Sequence, residues 1–126
     1  MAGCWGYDAM ILEDEQRAWC SARKLPFLGI DLARKVGISR ALLENPDGQP
    51  LHGLRNRPGL TTTGRYLWSG EKTDADDFFV PVHATHLLER HRHVLVLLGP
   101  APGWRFLMAP GYEDVWFDHE VASLVG

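Results

Sequence analysis

Residues 104–118, WRFLMAPGYEDVWFD, restrict the fold more than any other part of the chain. Large apolar residues recur with period two on either side of Pro110-Gly111, the pattern of two β-strands joined by a turn. Pro followed by Gly suits a type II turn, whereas tight two-residue hairpins prefer the primed types. A connection of about four residues is therefore expected, with Tyr112 and Glu113 partly in the loop. Alternation puts Trp104, Phe106 and Met108 on one face with Val115 and Phe117, and Asp114, Trp116 and Asp118 on the other. An Asp–Trp–Asp face is not a core face, so it is expected to meet solvent or a partner. Trp104 and Phe106 are expected in the core, and Arg105 is expected to pair with Asp114 or Glu113 across the strands.

Helical periodicity is clearest over 83-HATHLLERHRHVLVLL-98, closed by Gly99 and Pro100. At 100° per residue Ala84, Leu87, Leu88, Val94, Leu95 and Leu98 fall within an arc of roughly 120°, a stripe that must face the core. His91 projects into that stripe, where a satisfied buried imidazole is expected, and His83 lies where it can cap the helix. A second helix is expected over residues 12–25, with acids in its first turn, bases in its last, and Leu12, Trp19, Ala22 and Leu25 near one face before Pro26. Strands are expected over 36–43 and 64–70, a short broken extended piece over 51–58, and loops over 45–50 and 71–77. Together these predict an α+β domain spanning residues 1–126, with an antiparallel sheet of about four to five strands and two main helices. Residues 1–11 read as a tail that can be flexible.

Charge narrows the function. The net charge is −3, and residues 61–126 hold five Lys/Arg against nine Asp/Glu, a net of −4. That balance argues against nucleic acid, which requires a basic stripe, and suits a basic partner. The two cysteines, Cys4 and Cys20, form neither a disulfide framework nor a zinc motif, although they could pair. With no secretory signal and no apolar run of about 18 residues, a soluble cytoplasmic protein without a membrane partner is expected.

Two constellations could carry chemistry. His83 and His86, three apart, can share a helix face and one ion; with the acids at Asp74–Asp77 they would make a small metal-dependent hydrolase. No HExxH pattern or cysteine ligand supports this, so no metal or cofactor is expected. The carboxylates Glu71, Asp74, Asp76 and Asp77, and later Glu113, Asp114, Asp118 and Glu120, match no calcium loop. They read as a solvated acidic rim or as a docking surface. No serine has a nucleophile-elbow context, and 99-GPAPG-103 is too Pro-interrupted to cradle phosphate.

The order W-SGE (68–71), DDFFVPVHATHL (76–87) and LLGPAPGWRFLMAPGYEDVWFD (97–118) resembles a bacterial family of immunity proteins, number thirty-three in the polymorphic-toxin series. The resemblance covers roughly residues 36–120; the departures are Ala101 within GPAPG and the basic RHRH run. It implies a non-enzymatic protein that neutralises a cognate toxin by binding it. The aromatic-acidic residues Trp68, Glu71, Asp74, Asp76, Asp77, Tyr112, Glu113, Asp114, Trp116 and Asp118 are then expected to contact the partner, if the two acidic segments lie together. A general regulatory or scaffold domain is the other binding-class expectation.

Overall fold

The computed structural model describes residues 2–88 and 91–126, with side chains from Met10 onward. Six strands, β1 (Lys35–Ser39), β2 (Leu51–Arg55), β3 (Thr62–Ser69), β4 (Phe79–His83), β5 (Trp104–Ala109) and β6 (Tyr112–Phe117), form one sheet in the order β4-β1-β3-β2-β5-β6. The helices are α1 (Ala2–Ala22), α2 (Arg40–Glu44), α3 (Arg92–Leu95) and α4 (His119–Ser123). The class is α+β as expected, but the sheet is larger and mixed. β3 lies between β2 and β1, antiparallel to the first and parallel to the second. The added strand is β4, whose Pro81 weakens a strand signal. At a sheet edge that proline is tolerated, because half of an edge strand's backbone groups have no ladder partner.

The β5–β6 hairpin corrects the turn expectation. Ala109 pairs with Tyr112, so the connection is the two residues Pro110-Gly111, and Gly111 takes φ +71°. Tyr112 and Glu113 are therefore strand residues, and the positive φ is the conformation a type II turn requires after proline. The predicted face assignment holds, since Trp104 pairs with Phe117, Phe106 with Val115, and Arg105 with Trp116.

Two helix expectations and one strand expectation change. α1 begins at Ala2, which puts Glu13, Asp14 and Glu15 in mid-helix rather than in a first turn. Its buried stripe is Leu12, Gln16 and Cys20, with Trp19 half-buried and Ala22 exposed. Cys20 is a buried free thiol, whereas Cys4 lies outside the described side chains. The expected strand over 36–43 stops at Ser39, whose hydroxyl accepts from the Leu42 N–H at 3.2 Å and caps α2. Where a single helix was expected over 83–98, the described residues form separate short turns. His83 ends β4 without a side-chain cap bond, a 3₁₀ turn covers Ala84–Leu87, and α3 passes into a second 3₁₀ turn at Val96–Leu98. Histidines and the β-branched Thr85, Val94 and Val96 are mediocre helix formers, so tertiary packing decides the local geometry here. Burial of the stripe survives the break: Ala84, Leu87, Leu88, Val94, Leu95 and Leu98 are all buried. His91 is also buried, with Nε2 3.3 Å from the Leu43 carbonyl.

That stripe packs with Leu12 and Leu42 onto Val36, Ile38, Leu51, Leu67 and Phe106, which share one face of the sheet. Gln16 Nε2 donates to the Leu95 carbonyl at 2.8 Å, tying α1 to α3 inside the core. Trp104 sits at the margin of this layer, half-buried against Phe117 at 5.5 Å between centroids. On the same face Gly53 makes room for Phe106. A Cβ at Gly53 would lie 2.2 Å from the phenyl ring. The layers are thus one sheet with α1, α2 and α3 stacked on a single side.

Candidate partner-binding face

The opposite face of the sheet is free of α1, α2 and α3; α4 and the C-terminus lie at its border, where Asp118 accepts from Arg105 and the Gly126 carbonyl accepts from the Tyr66 hydroxyl. The strand registers order the side chains of this face into rows. One row runs Trp68, His52, Leu107, Asp114 across β3, β2, β5 and β6. The next runs Tyr66, Leu54, Arg105, Trp116, and continues through Gly37 on β1 to Pro81 on β4. Gly37 lets the Tyr66 ring lie flat across β1, since a Cβ there would sit 2.6 Å from it.

Aromatic contacts stiffen the rows. The His52 imidazole stacks on Trp68 at 5.0 Å and 3°, and Phe79 meets Tyr66 and Trp68 edge-on at 4.9 and 5.8 Å. Burial first, and the Arg105 charge second, hold the His52 imidazole below its usual range. The Arg105 guanidinium lies 5.4 Å from the Trp116 ring centroid and donates from Nη1 to Asp118 Oδ2 at 3.1 Å. Arg105 thus pairs with Asp118 rather than with Asp114 or Glu113, and its buried Nε has no partner among the described residues.

The ten expected partner residues divide sharply. Tyr112, Asp114 and Trp116 lie together on this face at β6, with Tyr112 54 % exposed and Asp114 exposed. Trp68 shares that face but is only 4 % exposed, so it underlies the surface instead of projecting from it. Glu71 borders a cleft of about 540 Å³ with His52, Trp68 and Arg105, and Asp76 borders one of about 290 Å³ with Tyr66, Phe79 and Pro81. Asp74 and Asp77 are exposed on the same connection between β3 and β4, Asp77 beside Ser39 and Arg40. Glu113 faces the helical layer, where Arg23, in the turn just after α1, donates to both of its oxygens at 2.7 Å and holds its carboxyl below the usual range. Asp118 accepts from Arg105 and from the backbone N–H of Val121 and Glu120; these bonds lower its carboxyl and cap α4. Glu113 and Asp114 stand at the same end of the sheet as the acids between β3 and β4, because Ser69, Leu51, Met108 and Glu113 form one register line, whereas Asp118 follows the far end of β6. β3 and β6 are three strand spacings apart, about 14 Å.

His83 and His86 stack at 5.6 Å. No group of three potential metal ligands occurs among the described residues, so the hydrolase constellation with Asp74–Asp77 does not assemble there. No helix is long and apolar enough to cross a membrane among the described residues.

A family profile described as the Imm33-like domain matches residues 15–118. The chain belongs to the Imm33-like family. No curated protein and no solved structure matches it. The Imm33-like match starts within α1 and ends at Asp118, so it takes in the whole sheet and every residue of both rows. By its name the family is one of immunity proteins. Within this Imm33-like domain His52, Leu54, Tyr66, Phe79 and Arg105 belong to the face opposite α1, α2 and α3 without having been predicted there. The alternation in 51-LHGLR-55 was the available signal, hidden by its central glycine.

Proposed function

We propose that this Imm33-like domain neutralises a protein toxin by binding it across the face of the sheet opposite α1, α2 and α3, with no bond-making of its own. One observation supports the reading: a six-stranded sheet packs α1, α2 and α3 on one side and carries aromatic rows on the other. Rigid, half-buried aromatics contribute contact area at low entropic cost, and Trp, Tyr and Arg are the usual anchors of such interfaces. Trp116, Tyr112 and Arg105 are those anchors here, with Trp68 and His52 as their support. Asp114, Glu71 and Asp76 at the margins favour a basic toxin, together with the more loosely placed Asp74 and Asp77. Glu113 and Asp118 act indirectly, by fixing the hairpin. The setting for this activity is the bacterial cytoplasm.

Co-expression with a toxin gene from the same locus, followed by pull-down and growth rescue, tests the proposal. Asp114→Lys and Trp116→Ala are expected to abolish rescue while leaving the melting temperature of the free domain within a few degrees. Affinity should fall as salt rises, because the charges lie at the rim. Rescue that persists in both variants would refute the assignment of this face, and absence of any complex would leave a scaffold role.

A further inference from the structure

Arg55 and Arg65 are direct cross-strand partners on the helix-side face, and each is 2 % exposed. Like charges so placed repel, and each cation loses hydration on burial. Among the described residues neither forms an ion pair with a carboxylate; their bonds go to backbone carbonyls. Arg55 donates from Nε to Thr63 at 3.3 Å and from Nη1 to Pro100 at 3.0 Å. Arg65 donates from Nη2 to Leu98 and to the same Pro100 oxygen, and its Nε is buried with no partner. Burial pushes the Arg55 guanidinium down to about 10, and burial with Arg55 as neighbour pushes Arg65 well below its usual value.

Arg55 also forms part of a cleft of about 360 Å³, lined besides by Gly29, Asp31, Arg34, Pro58 and Thr63. Arg34 donates to the Gly59 carbonyl at 3.1 Å and lies 3.5 Å from the exposed Asp31 carboxylate. The cleft therefore has two arginines in its lining against one aspartate, and one of them, Arg55, is the cross-strand neighbour of Arg65. A guanidinium has five N–H donors, and the bonds of Arg55 use two of them.

We propose that this cleft binds an oxyanion, a phosphate or a carboxylate, between Arg34 and Arg55. The anion brings the negative charge that the buried arginine pair lacks. The site lies on the helix side of the sheet and is independent of the toxin-binding reading.

Calorimetric titration of the full chain with inorganic phosphate, and separately with acetate, at ionic strength matched with chloride, tests it. Saturable binding is expected, weakened about tenfold in Arg34→Gln, where one charged hydrogen-bond donor is lost. The exposed Arg40→Gln, which removes the same charge elsewhere, is expected to bind like the native chain. Preference for phosphate identifies a free phosphate or phosphate ester, and preference for acetate identifies a carboxylate; either supports the site. The melting temperature should rise with the logarithm of ligand concentration once the site fills. Unsaturable stabilisation common to all three proteins is a general salt effect and would overturn the proposal. Equal binding by Arg34→Gln would overturn it too.

Discussion

At the scale of single residues, Gly53 and His52 are neighbours on β2 that serve opposite faces. Gly53 exists for the Phe106 ring; a methyl group there must displace either the ring or the strand. Gly53→Ala is expected to cost about 1–3 kcal/mol through overpacking, read as a lower urea midpoint at unchanged slope. A midpoint equal to the native one would mean the ring moves freely. His52 is held neutral by burial and by Arg105, so its folded-state pKa lies under 6.5. The unfolded chain then takes up the proton first. The contribution of His52 to stability is complete above pH 6.5 and is lost as pH falls through the folded value. An NMR titration should place the His52 midpoint under 6.5; a midpoint at or above it would contradict the stacked geometry on Trp68. Such roles were legible only in part. Trp68 and Trp116 could be recognised as strand tryptophans, but alternation assigns sides without saying which side is covered.

Among the elements, the β5–β6 hairpin was the most legible because its signal is local. Six alternating residues on either side of Pro-Gly determine strands and facing together, although the turn is tighter than the expected four residues. Its docking onto α1 was not legible, since Arg23 and Glu113 stand ninety positions apart in sequence. That pair supplies a second pH test. The Glu113 carboxyl titrates below its ordinary 4.5 in the folded state, mainly through the Arg23 hydrogen bonds. Its stabilisation is present above pH 4.5 and disappears as pH falls through the folded value. Both partners are partly exposed, so the contribution is expected to stay under about 1 kcal/mol. Glu113→Gln should therefore lower the melting temperature slightly at pH 7, by an amount that shrinks as pH falls through the folded-state titration of Glu113 followed by NMR; a gap that does not shrink across that titration would exclude the charge as its cause. The 83–98 segment teaches the reverse lesson. Its apolar stripe correctly named six core residues, yet periodicity alone could not distinguish one helix from several turns wound to the same burial.

For the molecule as a whole, the two faces of the sheet should respond differently to truncation. Leu95→Ala, at a fully buried core position, is expected to cost about 2–5 kcal/mol. Tyr112→Ala on the opposite face is expected to cost under about 1 kcal/mol and to weaken the toxin complex instead. Denaturant melts and binding titrations of the two variants check this, and a Tyr112 variant that melts like Leu95→Ala would mean the face is core. The sequence by itself determined the α+β class, the hairpin and its facing, the apolar stripe, and the family motifs, because each depends on neighbours within a turn or a strand. Tertiary structure alone decided the parallel β1–β3 pairing, the sixth strand and the mutual burial of Arg55 and Arg65. It also decided that Trp68 lies under the surface while Trp116 lies at it. Those outcomes turn on which strand a segment meets and on which face the helices settle, and such long-range choices leave no periodic trace along the chain.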